Sequence, residues 1–135
     1  MNDIYQTAVD AFVKGRIKEA HRICKTILKR QPASHEALHL LAMTEKRRGK
    51  YSLAIKTFNK ALRLAPSTPM YWNNLGETYR EMGDPDKAIK CYQRAVKHRP
   101  EYAEAYSNWG AALMMKGDPG QAEQQLLRAT RINPE

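Results

Sequence analysis

Three residue types recur along this chain at a fixed interval of 34 residues. Proline stands at residues 32, 66, 100 and 134, glycine at 15, 49, 83 and 117, and alanine at 20, 54, 88 and 122. Such an interval is typical of repeat proteins, in which each repeat is one supersecondary unit that packs on its neighbours. The 135-residue chain is therefore predicted to hold four repeats in one register, at residues 1–34, 35–68, 69–102 and 103–135.

The spacing within each repeat predicts two antiparallel helices joined by a turn. Positions are counted from the first residue of each repeat. Positions 4, 7, 8 and 11 share one face of a helix that has 3.6 residues per turn. Position 8 is always small, and position 20 is always alanine, so the two helices can cross closely; the residues at position 8 are Ala8, Ala42, Gly76 and Gly110. Gly49 is expected to break its helix in a left-handed conformation. Ser34, Thr68, Asp84 and Asp118 are predicted N-caps.

The third repeat carries the motif that identifies a family. Its motif residues are Trp72, Leu75, Gly76, Tyr79, Ala88, Tyr92, Ala95 and Pro100. This pattern resembles the tetratricopeptide repeat (TPR), W-x2-L-G-x2-Y…A-x3-F…P, and departs from it only in having Tyr92 for Phe. The resemblance implies an all-α fold, an α-solenoid of four TPR helix–turn–helix repeats. It also implies a right-handed superhelix with a concave groove, in a single TPR domain over residues 1–135.

The second repeat departs from the motif at one packing position. Glu45 stands where the motif has an aromatic residue. An ionisable side chain does not fill that position as a ring would, so we expect looser packing there.

The net charge of +9 is concentrated in the first half of the chain. Residues 1–68 hold 14 Lys and Arg against five Asp and Glu, whereas residues 69–135 hold nine of each kind. Such a field steers acidic partners toward the first two repeats and is screened by salt. Nucleic acid is one such partner, but these basic residues fall on predicted helix surfaces without interleaved exposed aromatics. That arrangement is more typical of a solvated basic face.

Several classes of protein and of site find no support in the sequence. The N-terminus lacks the apolar run of a signal peptide, and no apolar stretch is long enough to span a membrane. Cys24 and Cys91 fall on separate repeats, which predicts two reduced thiols and a cytoplasmic protein. His35 and His39 have the i, i+4 spacing of metal ligands but lack a third ligand. We therefore predict no metal, no cofactor and, without a nucleophile–base pair, no catalysis.

The family resemblance implies that the first helix of each repeat lines the concave groove. The residues at groove positions begin apolar and aromatic, become basic, and end polar with methionines. We predict that a bound peptide contacts these side chains: Tyr5, Val9, Phe12, His39, Met43, Lys46, Arg47, Asn73, Asn74, Glu77, Arg80, Asn108 and Met115.

Two comparisons within the family narrow the prediction. Chaperone-binding TPR domains hold a terminal carboxylate with a clamp of Lys, Arg and Asn residues on three successive repeats. This clamp is absent here, whether it is counted from the first repeat or from the second. In contrast, Asn74-Leu75-Gly76 and Asn108-Trp109-Gly110 resemble the repeats of O-linked N-acetylglucosaminyltransferases, in which asparagines form an inner ladder. An asparagine amide can pair with both the N–H and the C=O of an extended peptide.

The predicted function is that of a protein–protein interaction scaffold, which binds an extended peptide or a partner helix in the groove. An alternative is the N-terminal TPR targeting module of a larger, glycosyltransferase-like or sulfotransferase-like enzyme. A third is the binding of nucleic acid or another acidic partner through the basic first half. We also expect weak self-association, because apolar residues of the terminal repeats have no neighbouring repeat to cover them. These residues are Tyr5, Phe12, Val13, Trp109, Leu126, Leu127 and Ile132.

Overall fold

The structure, a computed structural model, describes residues 3–134 and contains eight α-helices and no strand within that range. The helices are α1 (Asp3–Val13), α2 (Ile17–Arg30), α3 (His35–Arg47), α4 (Tyr51–Leu64), α5 (Pro69–Glu81), α6 (Pro85–His98), α7 (Ala103–Met115) and α8 (Pro119–Ile132). Each predicted repeat contains one helix pair, which confirms the all-α helix–turn–helix architecture. None of the described helices combines the length and the apolar character that a membrane crossing requires.

The chain divides into two compact units, Met1–Pro66 with α1 to α4 and Ser67–Glu135 with α5 to α8. In the first unit, α2 packs against both α1 and α3, and α3 packs against α4. In the second unit, α6 packs against both α5 and α7, and α7 packs against α8. Each unit is thus two stacked repeats. That all four repeats form a single domain stays a prediction.

A left-handed glycine ends the first helix of every repeat. The φ angles of Gly15, Gly49, Gly83 and Gly117 lie between 77° and 89°, a region that side chains with a Cβ atom rarely adopt. The residue after each glycine donates its N–H to the carbonyl five residues earlier, at 2.8 to 3.0 Å. This bond is that of the Schellman motif, and it satisfies a carbonyl that the helix end would leave unpaired. The predicted turn conformation is confirmed.

Three of the four predicted N-caps make their expected hydrogen bond. Ser34, Asp84 and Asp118 each accept a bond from the backbone N–H three residues further on, at 3.2 Å. Thr68 occupies the N-cap position of α5, but its side chain makes no capping bond, so that prediction is wrong in its mechanism. Pro69 follows at N1, where its fixed φ suits the first turn of a helix.

The two helices of a repeat approach each other closely at position 8. A Cβ atom added to Gly76 would lie 2.6 Å from Cε1 of the fully buried Tyr92, on the partner helix α6. In the last repeat, a Cβ on Gly110 would lie 2.8 Å from the Leu126 side chain on α8. The alanines at position 20 are all fully buried. The predicted close crossing of the helices is confirmed.

We predict that Gly76→Ala destabilises the protein, because the new methyl group overlaps the Tyr92 ring. Overpacking of this kind costs about 1–3 kcal/mol of the free energy of unfolding, measured by urea denaturation. Gly120→Ala in α8 is the matched control, since no atom lies within 4 Å of the added Cβ there. The control should be neutral or more stable by about 0.5–1 kcal/mol. Equal unfolding of the two variants would contradict the assigned crossing.

Candidate functional site

In the first unit, the predicted groove residues of α1 and α3 form an apolar face beside a basic group. Tyr5, Val9 and Phe12 are half-buried and pack against the buried core of this unit. The guanidinium of Arg47 lies 5.2 Å from the centroid of the Phe12 ring, in the range of a cation–π contact. The structure therefore brings the aromatic and basic parts of the prediction together.

Two predicted residues of α3 are themselves buried. His39 is 7% exposed, and its ring centroid lies 5.6 Å from that of Phe58. Burial, and to a lesser degree the nearby His35, lowers the pKa of His39 to about 4. Lys46 is also buried, whereas Met43 is half-buried and Arg47 is exposed. Met43 and Arg47 therefore offer a ligand more of α3 than His39 and Lys46 do.

The described residues contain no cluster that suits a metal ion. Within residues 3–134, no group of three or more His, Cys, Asp or Glu side chains is placed to hold one. His39 packs against Phe58 as a neutral ring, so packing accounts for a histidine at this position of α3.

In the second unit, a polar link joins the first helices of the two repeats. The Asn108 Nδ2 atom of α7 donates a hydrogen bond to Oδ1 of Asn73 on α5, at 3.1 Å. Asn73 is 1% exposed, and its side chain also hydrogen-bonds that of Tyr102. Asn73 thus holds Asn108 in place instead of facing a ligand itself. Tyr102 was missed by the sequence reasoning, because it lies outside the predicted groove positions.

Arg80 presents an unsatisfied donor on the same helix. Asn73, Glu77 and Arg80 are spaced by four and three residues, which places them on one face of α5. Within the described residues, neither Nε of Arg80 nor the buried hydroxyl of Tyr92 has a hydrogen-bond partner. Burial raises the pKa of Tyr92 to about 12, and an interaction of its hydroxyl with the nearby Arg80 side chain, partly hydrogen bond and partly charge, opposes this shift. Because Nε itself is buried, a ligand would bind Arg80 through the other N–H groups of this half-buried side chain.

The remaining predicted residues of the second unit are accessible. Asn74, Glu77 and Asn108 are half-buried, and Met115 is exposed at the end of α7 beside the exposed Met114. Methionines are flexible and polarizable, so exposed ones suit contact with partners of varied shape. The face of this unit therefore combines amides, charged groups and an apolar end.

Comparison with protein families identifies the repeats. The tetratricopeptide repeat family matches residues 69–102, and a second TPR-repeat family matches residues 45–83. Residues 45–102 belong to tetratricopeptide repeats, and the chain has the TPR fold. In sequence, no curated protein matches it.

Solved structures with the same fold include two other proteins. MamA from Desulfovibrio magneticus RS-1 is 21% identical with a TM-score of 0.88, over 97% of this chain and 74% of that one. The pilF protein of Pseudomonas aeruginosa is 21% identical with a TM-score of 0.92, over 98% of this chain and 61% of that one. At these identities the likeness establishes the TPR solenoid fold alone.

A third structure is that of an O-GlcNAc transferase, the kind of enzyme whose repeats resemble segments 74–76 and 108–110 of this chain. A mutant O-GlcNAc transferase of Thermobaculum terrenum is 29% identical with a TM-score of 0.90. The match covers 95% of this TPR chain but only 25% of the transferase. The present chain thus spans about a quarter of that protein.

We predict that His39 makes the TPR protein sensitive to mild acid. The unfolded chain takes up a proton at the ordinary histidine pKa of 6.5, whereas folded His39 does so only near 4. The unfolded state therefore binds more protons between these values, and stability falls as the pH is lowered from 6.5 to 4. His39→Gln should reduce this loss by an amount on the order of 2 kcal/mol, measured by urea denaturation at several pH values. The exposed His98 supplies the control, and a pH profile changed equally by His98→Gln would contradict the assignment.

Proposed function

We propose that this TPR protein is a non-catalytic scaffold that binds an extended peptide or a partner helix on its first helices. The observation that carries the proposal is the hydrogen bond between Asn73 and Asn108, on the α5 face that also holds the half-buried Arg80. An amide-rich face with a charged donor group suits a ligand that is itself rich in carbonyl oxygens. An extended peptide is such a ligand.

On the face of the second unit, each polar group has a defined task in this proposal. Asn74 donates to and accepts from the peptide backbone, which gives affinity that tolerates different sequences. Arg80 binds a backbone carbonyl or an acidic side chain by a charge-assisted hydrogen bond. Met115 contacts an apolar side chain of the ligand.

The face of the first unit selects partners with apolar and acidic side chains. Tyr5, Val9 and Phe12 provide the apolar contact, and Arg47 supplies charge beside the Phe12 ring. The excess of basic residues in the first two repeats favours the approach of acidic partners. Binding of nucleic acid through the same residues is a weaker proposal, because it has only this charge in its support.

We also propose a cytoplasmic setting. Cys24 and Cys91 are both free and buried, one in each unit. Two unpaired thiols are typical of proteins from a reducing compartment. Localisation of a tagged, full-length gene product would test this proposal.

A second candidate function is that of a targeting module within a larger enzyme. The observation that favours it is the 29% identity to an O-GlcNAc transferase of which the match covers 25%. In that case the faces described above would recruit substrates to a catalytic domain elsewhere in the polypeptide. The coding sequence that follows the Glu135 codon decides between a catalytic domain and a stop.

We predict that Asn74→Ala and Arg80→Gln both weaken peptide binding. Peptides selected by display against the wild-type protein serve as ligands, and fluorescence anisotropy gives their affinities. The loss of one neutral hydrogen bond by Asn74→Ala should cost about 1 kcal/mol, roughly fivefold in affinity. The loss of a charged donor by Arg80→Gln should cost about 1.5–3 kcal/mol.

Two variants on the exposed side of α6 serve as controls. Gln93→Ala removes an amide and Lys90→Gln removes a charge, both at exposed positions of a second helix. Both controls should bind the peptides like the wild type. If the controls weaken binding and the α5 variants do not, the peptides bind elsewhere and the proposal fails.

We further propose weak self-association through the terminal repeats, supported by their exposed apolar residues. Val13 in the first unit and Leu127 in the second are 75% and 51% exposed. Leu127→Gln should weaken association about fivefold, because half a leucine side chain loses its burial. Leu53→Gln, at an exposed leucine of the second repeat, should change nothing. Sedimentation velocity over a wide concentration range measures the association, and a wild-type protein that stays monomeric throughout would contradict it.

A further inference from the structure

A groove of about 720 Å³ lies between the second helices α2 and α4 of the first unit. Its apolar lining consists of Leu28, Pro32, Leu38, Leu41 and Leu64. Four exposed cations surround this lining, two from each second helix: Lys25, Lys29, Lys60 and Arg63. The groove shares none of its lining with the predicted peptide contacts on α1 and α3. It is therefore a separate feature of the molecule.

The second unit contains the same groove in a filled form. A residue of the first unit corresponds to the residue 68 positions later in the second unit, because two repeats span 68 residues. Part of the groove lining thus corresponds to Pro100, Tyr106, Arg128, Arg131 and Ile132. These five residues enclose only about 250 Å³. The two units thus share their helix pattern and differ in the side chains at this groove.

Two aromatic side chains explain the difference in volume. Tyr106 and Trp109 occupy the positions of Leu38 and Leu41, and their rings stack with centroids 6.1 Å apart. The Tyr106 hydroxyl donates a hydrogen bond to the carbonyl of Pro100 at 3.0 Å, which fixes its ring over the groove. In the first unit, leucines leave that space open. The open groove is therefore shaped for an aromatic side chain that its own repeat does not supply.

Glu45 lies next to the lining of the open groove, at a position where the second unit has Leu113. It follows Leu41 by one helical turn and is 4% exposed, with no hydrogen-bond partner for its Oε1 atom in the described residues. Burial raises the pKa of Glu45, while a hydrogen bond to Thr57 and the charges of Lys25 and Lys60 oppose this shift. Those three neighbours line the groove. Glu45 does not itself line the groove, and its buried carboxyl supports the lining through the hydrogen bond to Thr57. The looser packing expected at Glu45 stays a prediction.

We propose that this groove binds a segment of a partner protein that inserts a tryptophan or tyrosine flanked by acidic residues. The apolar lining and the missing Tyr106 and Trp109 counterparts favour an aromatic anchor. The exposed cations of α2 and α4 favour carboxylates on both sides of it. An aromatic residue with acidic neighbours satisfies both features at once.

The probe for this proposal is a fluorescein-labelled peptide, Ser-Glu-Glu-Trp-Leu-Glu-Glu-Ser, with blocked ends. Its binding to the wild-type protein is measured by anisotropy, and the methyl NMR signals of Leu38 and Leu41 show where it binds. Replacing Trp by Ala in the peptide should weaken binding at least about tenfold, because the anchor is lost. Replacing the four Glu by Gln should also weaken binding and remove most of its salt dependence.

Two protein variants test the groove from opposite directions. Leu38→Tyr with Leu41→Trp copies the fourth repeat and should fill the groove, abolishing binding of the peptide. Because both leucines are buried, a second variant, Lys29→Glu with Lys60→Glu, changes only exposed positions and should weaken binding about tenfold or more. The control, Lys14→Glu with Lys18→Glu, makes the same change in net charge away from the groove and should weaken binding less than about threefold.

Several results would overturn the proposal. It fails if the peptide does not bind at concentrations up to about 1 mM, which corresponds to a very weak interaction. It also fails if both charge-reversed variants lose affinity equally, because binding would then follow net charge alone. Vesicles of phosphatidylglycerol that bind the wild type but not Lys29→Glu with Lys60→Glu, while the peptide does not bind, would assign the groove to a membrane surface instead.

Discussion

The close crossing of the two helices within each repeat is the contact on which the rest of this structure depends. A small residue at position 8 and an alanine at position 20 let the backbones approach, and in the third and fourth repeats a large residue at position 24 lies against the glycine at position 8. In the third repeat these roles belong to Gly76, Ala88 and Tyr92. Since the crossing fixes which side of each helix is buried, it also fixes which side remains for partners.

Most of the fold could be predicted because it follows from local chemistry repeated four times. The left-handed glycines and the carboxylate caps at Asp84 and Asp118 act within a few residues, so the sequence carries their signal directly. Thr68 is the instructive exception. Its residue type suits a capping bond, but Pro69 starts the helix there without one, which residue type alone did not reveal.

The candidate site was less predictable, because exposure depends on contacts between distant residues. Spacing places Asn73 and His39 on the first helices, but not against Tyr102 and Phe58, which bury them. The groove between α2 and α4 was missed for a different reason. Leu38 and Leu41 stand where the fourth repeat has the larger Tyr106 and Trp109. A repeat motif states which residues are expected and does not mark a space that smaller side chains leave open.

The two cysteines have a consequence for how the opening of each unit can be followed. Burial raises the pKa of both thiols to about 12, so neither is a reactive thiolate at neutral pH while its helix pair stays closed. Cys24 belongs to the first unit and Cys91 to the second. Alkylation of either one therefore reports a local opening of its own unit. Peptide mapping by mass spectrometry can therefore measure the rate of opening of each unit separately, without an added label.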